Sequence, residues 1–94
     1  MGKTLKVQLG TTNPLSVPGL VSDFRTFGTD VYRALRDRCD ISIHEIEASI
    51  SEFSVRKLHK REVRTIASTV RKILEKHHWL SDVRIYEVSD RDDA

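Results

Sequence analysis

Four histidines and one cysteine are the side chains in this 94-residue chain best suited to hold a metal ion. His77 and His78 are adjacent, and neighbours on a helix point about 100° apart, which makes them a poor chelating pair. His59 and His77 are 18 residues apart, or about 27 Å along a helix. We therefore predict no metal site, with His77 at the edge of the core and His78 in solvent.

Cys39 is the candidate nucleophile, because a thiol needs only a neighbouring base and a group that orients that base. It lies at the end of a predicted helix, beside Arg38 and Asp40. A free cysteine is more often a small buried apolar residue than a reactive thiol. We assign no catalytic residue.

Two shorter patterns point towards other chemistry. Glu45 and Glu47 would share one face of a strand about 7 Å apart, a spacing compatible with acid–base work or a divalent ion. A solvated outer face of a sheet, or an acidic surface that meets another copy of the chain, is the simpler interpretation. Gly2-Lys3-Thr4 ends like a phosphate-binding loop but has no glycine loop or strand before it, so no cofactor is predicted.

Positive charge is concentrated in one stretch. Residues 56–78 carry a net charge of +6, residues 23–55 and 79–94 carry −3 each, and the whole chain carries +2. Such a face could follow a phosphate backbone or meet an acidic protein surface. The candidate anion-binding or partner-binding residues are Arg56, Lys57, Lys60, Arg61, Arg64, Arg71 and Lys72.

The first elements of the chain are predicted from the spacing of apolar residues. Residues 3–11 alternate apolar and polar side chains, which indicates a half-buried strand. Apolar residues at spacings of three and four over 17–39 predict a helix. In the middle of this helix, Gly28 costs up to about 1 kcal/mol of helix stability relative to alanine. Either the helix breaks there or the glycine lets the backbone approach a neighbour. We favour one helix.

Residues 41–58 are rich in β-branched side chains and alternate from Ile46 through Ala48 to Ile50. The alternation changes phase at Ser51-Glu52, which requires an extra residue or a reversal of the chain. One long strand with a bulge and a hairpin are equally compatible with this pattern.

A second helix follows, with an apolar stripe from Val63 to Leu74 and charged residues on the opposite face. Glu62 occupies the position of a capping-box acid if His59 is the N-cap. Residues 83–88 alternate again and predict a last strand, and residues 89–94 are expected to form a frayed tail.

Together these elements predict an α+β fold in the order β-α-β(β)-α-β. We expect a two-layer sandwich with two helices on one face of a three- or four-stranded sheet, ferredoxin-like if 41–58 is a hairpin. Folding of a chain of this length buries roughly 60 to 65% of the surface that the unfolded chain exposes, which is enough for one core. We therefore predict a single domain over residues 1–94.

Composition and pattern favour binding over catalysis. The single cysteine cannot form an internal disulfide, and the chain has neither a secretory signal nor a stretch of about 18 apolar residues. We expect a cytoplasmic, non-enzymatic module that binds a protein partner or itself, through a sheet edge in 41–58 and complementary charge patches. The alternative is a nucleic-acid-binding protein that contacts phosphates through helix 56–78.

Overall fold

The computed structural model of the chain describes residues 2–89. Apart from Ser89, the predicted tail lies outside this range. The described part contains three strands, three helices and a 3-10 turn at Pro14–Ser16. In chain order the elements are β1 (Lys3–Leu9), α1 (Leu20–Leu35), α2 (Ile43–Ala48), β2 (Glu52–Leu58), α3 (Val63–Lys76) and β3 (Val83–Ser89).

The sheet has the strand order β2-β1-β3, and β1 is antiparallel to both neighbours. The predicted alternation in β1 is confirmed, because Leu5, Val7 and Leu9 are each at most 3% exposed and face the helices. Val7 pairs with Phe53 on one side and with Ile85 on the other. One row of apolar side chains therefore crosses all three strands.

Helix α1 is continuous through Gly28, as predicted. A Cβ atom at this position would lie 2.7 Å from Cγ2 of Ile46 and 3.2 Å from Cε2 of Phe53. The missing side chain lets α1 approach its neighbours, and the rings of Phe24, Phe27 and Phe53 then pack with centroids 5.5 to 6.0 Å apart. Helix α1 and strand β2 thus share the aromatic part of the core.

The predicted apolar stripe of α3 lies in the same core. Val63, Ile66, Ala67, Val70 and Ile73 are all buried. The helix begins at Val63 rather than at His59, yet the predicted capping contact exists, because the Glu62 carboxylate accepts a hydrogen bond from the His59 N–H at 2.9 Å.

Residues 41–58 form neither a bulged strand nor a hairpin, so both interpretations of this segment were wrong. The first half is the short helix α2, and only residues 52–58 are a strand. Ser42 caps α2 by accepting the Glu45 N–H at 3.1 Å, and Ile46 is fully buried. Capping and packing outweigh the β-branched pattern here, and Glu45 and Glu47 do not share a strand face.

The resulting architecture is the predicted two-layer α+β arrangement with a three-stranded sheet. The order β2-β1-β3 is that of a ferredoxin-like sheet without the strand outside β2. Residues 40–45 lie along that position instead, and a single antiparallel bridge joins Asp40 to Arg56. Buried apolar residues from the sheet and the helices form one cluster. None of the three helices is long and apolar enough to cross a membrane.

Candidate binding edge and basic helix face

The outer edge of β2 is covered by the chain itself. The Arg56 N–H donates to the Asp40 carbonyl oxygen at 2.8 Å, and the Ser54 N–H donates to the Glu45 carboxylate at 3.4 Å. The Arg56 guanidinium donates to both oxygens of Glu45, at 3.2 and 2.8 Å. Because the outward N–H groups of Ser54 and Arg56 are used, the middle of this edge offers no row of groups to another strand.

The outer edge of β3 is different. The Gly10 N–H donates to the Asp82 carbonyl at 2.7 Å, and Gly10 and Asp82 continue the register of the β1–β3 pair. Even-numbered residues of β3 therefore direct their backbone groups towards β1. In an antiparallel pair the backbone groups alternate sides, so those of Val83, Ile85 and Glu87 point away from β1. Within residues 2–89 the sheet ends at β3. Between Val83 and Glu87, three N–H groups and three carbonyls therefore face outward at strand spacing.

A groove of about 430 Å³ lies between this edge and α3. Its apolar lining comes from Leu5, Val63, Ala67 and the half-buried Ile85. Lys60, Arg64 and Arg71 form its basic side. The groove is thus apolar at its floor and positive along the helix.

The spacing of residues on α3 explains which cations reach the groove. Arg64, Ala67 and Arg71 follow one another at intervals of three and four, so they form one row on α3. Lys60 lies in the turn before α3 and also lines the groove. Ala67 is small, which leaves space between the flanking arginines. Lys72 lies about 100° farther round the helix than Arg71. Neither Lys72 nor Arg61, which precedes α3, lines the groove.

These cations are not engaged by described acids. No carboxylate in the described chain lies within 4.0 Å of the side-chain nitrogens of Lys60, Arg61, Arg64, Arg71 or Lys72. The acid in the groove, Glu87, pairs with Lys3 at 3.3 Å instead. Within residues 2–89, the row on α3 therefore has no acidic partner.

The predicted basic set is divided by the fold. Lys60, Arg61 and Arg64 line a second open cavity with His59 and Thr65 at the start of α3. Arg56 and Lys57 lie on β2, at the opposite side of the sheet from β3. Arg56 pairs with Glu45, and Lys57 lies 4.0 Å from Asp40. The two β2 cations thus belong with the covered edge.

His77 has a partner that sequence reasoning missed. As predicted, it lies at the core, 5% exposed, and His78 is exposed. Its Nε2 is 2.7 Å from Oδ2 of Asp30, and its ring lies edge-on to those of Phe27 and Trp79. Asp30 and His77 are 47 residues apart, so spacing offered no signal for the pair. Across residues 2–89, no three His, Cys, Asp or Glu side chains converge as metal ligands.

Cys39 is not set up as an activated nucleophile. Burial raises the pKa of its thiol above the ordinary value of 9.0, Arg38 acts in the opposite direction, and Glu62 raises it further. A raised pKa leaves less thiolate at neutral pH, and the thiolate is the nucleophile. The environment of Cys39 therefore suits a partly buried apolar residue.

Comparison of this chain with protein-family models, with curated proteins and with solved structures finds no match.

Proposed function

We propose that this protein is a small, non-enzymatic interaction module that binds an extended segment of a protein partner at the outer edge of β3. The observation that carries the proposal is the difference between the two edges of the sheet. The edge of β2 is covered by Asp40 and Glu45, and the edge of β3 faces a groove. A reducing, cytoplasmic setting belongs to the proposal, since Cys39 is a free thiol.

Strand addition supplies the physical reason for this choice. An exposed strand edge pairs with an incoming strand through main-chain hydrogen bonds, and neighbouring side-chain pockets add specificity. Strand β3 is seven residues long, comparable to most strands in globular proteins. The sequence-based proposal of a sheet edge in 41–58 therefore moves to residues 83–89.

The test uses two substitutions at Glu87. In Glu87→Pro the ring replaces an N–H that points away from β1, so pairing with β1 is kept and pairing with a partner is blocked. Glu87→Ala is the matched control, because it also removes the ion pair with Lys3 but keeps the N–H. Extended peptides selected for binding to the wild-type protein should bind Glu87→Ala and fail to bind Glu87→Pro, measured by fluorescence anisotropy.

Circular dichroism melting must first show that both variants fold. Peptides that bind Glu87→Pro as tightly as wild type would contradict recognition at this edge. A selection that yields no binding peptide at all would count against the proposed function as a whole.

Nucleic-acid binding through the face of α3 is the second candidate. It is favoured by the basic cavity at the start of the helix and by five cations without a described acid partner. Affinity should then fall steeply with salt, and Arg61→Glu, Arg64→Glu and Arg71→Glu together should abolish it. Absence of a gel shift with single- and double-stranded DNA and RNA at about 50 mM salt would exclude this candidate.

A further inference from the structure

We propose that the partner segment at the edge of β3 is acidic and comes from another protein. This inference rests on the proposed function and specifies the chemistry of its ligand.

The charges of the groove favour an acidic segment. A strand paired with β3 places alternate side chains on the helix side of the sheet, next to the row that contains Arg64 and Arg71. These arginines are seven positions apart, about 10.5 Å along the helix. Acids two to four positions apart on the added strand are separated by about 7 to 13 Å. Two carboxylates on one face of the segment can therefore meet both arginines.

The other face of the sheet carries a further cation. Arg84 is largely exposed, and its nearest carboxylate in an ion pair is that of Asp82 at 3.9 Å, beyond ordinary hydrogen-bond distance. An acid on the second face of the added strand would lie beside Arg84. Both faces of the edge thus favour negative charge.

The same charges disfavour another copy of the chain as the occupant. A copy paired through its own β3 would bring a second Arg64 and Arg71 towards the first pair. Its Glu87, which could offset them, is already held by Lys3 at 3.3 Å. Like charges placed opposite one another destabilise a sheet interface, so the arrangement favours a different protein.

The groove floor and the strand edge favour a peptide over a nucleic acid. The groove floor is lined by Leu5, Val63, Ala67 and Ile85, and the edge presents alternating donors and acceptors at strand spacing. A peptide strand satisfies both kinds of group and can place apolar side chains on the floor. A sugar-phosphate backbone supplies acceptors but no matching series of donors.

The experiment compares two eight-residue peptides labelled with a fluorophore, one with the repeat Val-Val-Glu-Glu and one with the repeat Val-Val-Gln-Gln. In an extended strand each face of the first peptide then carries both Val and Glu, with the acids four positions apart. The acidic peptide should bind at least about tenfold more tightly at low salt, and the difference should shrink as salt is added. In the double variant Arg64→Glu and Arg71→Glu the preference should disappear or reverse.

A charge-matched control distinguishes the groove from the general charge of the helix. The double variant Arg61→Glu and Lys72→Glu changes the net charge equally but leaves the groove unchanged, so it should keep most of the preference. Equal loss in both double variants would overturn the inference, because it would show a diffuse effect of charge.

The remaining outcomes separate the inference from the proposed function. Equal binding of both peptides, with loss in Glu87→Pro, would retain strand addition and overturn the acidic partner. An acidic peptide methylated on alternate amide nitrogens should bind weakly, which tests main-chain pairing without altering the protein. If light scattering shows that the free protein dimerises and the dimer competes with peptide binding, the inference is overturned. Displacement of the peptide by a thymidine oligonucleotide would also overturn it.

Discussion

Gly28 shows at the scale of a residue how a missing side chain decides a packing distance. The periodicity of residues 17–39 predicted a helix and left open whether the glycine breaks it or allows a close approach. Helix α1 passes through it unbroken, and Ile46 of α2 packs against the gap. The neighbour could not be predicted, because α2 was interpreted as part of a strand.

Gly28→Ala should lower the free energy of unfolding by about 1 to 2 kcal/mol, because overpacking against Ile46 and Phe53 outweighs the better helix propensity of alanine. Urea denaturation measures the change. Ile46→Ala removes the methyl group that an alanine at position 28 would strike. The two substitutions should therefore cost less together than the sum of their separate effects. Strict additivity would contradict the contact.

Asp30 and His77 form a second contact that depends on single atoms. Asp30→Ala leaves Nε2 of the buried imidazole without its partner, which should cost about 1 to 3 kcal/mol in unfolding free energy. Asp37→Ala is the control. It changes an exposed acid just after α1, the helix that contains Asp30, and should alter the unfolding free energy by less than about 0.5 kcal/mol. Equal effects of the two substitutions would show that the pair adds nothing to stability.

The thiol of Cys39 gives a prediction that depends on pH. Because burial raises its pKa, the thiol of the folded protein should react with a disulfide reagent half-maximally at a higher pH than the same thiol in urea. The stability linked to this group is complete below the pKa of the unfolded chain and is lost as pH rises above that value. A lower half-maximal pH in the folded state would contradict the burial of this thiol.

At the scale of elements, the residues that face the core were predicted best. The stripe of α3 and the alternation of β1 and β3 arise because one side of each element is buried. Apolar residues then recur in the sequence with a period of 3.6 in the helix and 2 in the strands. Helix α2 was missed because its formation depends on Ser42 as a cap and on the space above Gly28. The space above Gly28 is a tertiary effect and could not be read from the sequence. The cap at Ser42 is a local signal, but the β-branched residues of 41–58 outweighed it in the prediction.

The role of α2 in covering β2 can be tested at Glu45. Glu45→Ala removes the acceptor of the Ser54 N–H and the partner of Arg56. Amide exchange at Ser54 should accelerate, and stability should fall by less than about 1 kcal/mol, since the ion pair is partly exposed. Glu47→Ala, on the same helix with an exposed side chain, is the control. Unchanged exchange at Ser54 would show that the carboxylate does not protect this edge.

At the scale of the whole molecule, the fold separates the cations that lie close together in the sequence. The stretch 56–78 contains cations on β2, cations beside the groove and cations turned to solvent. Its charge could be counted from the sequence, but the division depends on which strand edge each residue meets. The same holds for the sheet edges, since residues 40–45 lie along the outer side of β2 and, within residues 2–89, no strand pairs with the outer side of β3.

The central claim is that a partner strand pairs with β3. The most direct measurement is amide hydrogen exchange by NMR with and without a saturating amount of the acidic peptide. We expect slower exchange of the outward amides of Val83, Ile85 and Glu87, with little change at Ser54 and Arg56. Protection at Ser54 and Arg56 instead, or no protection at β3 when the peptide is bound, would contradict it.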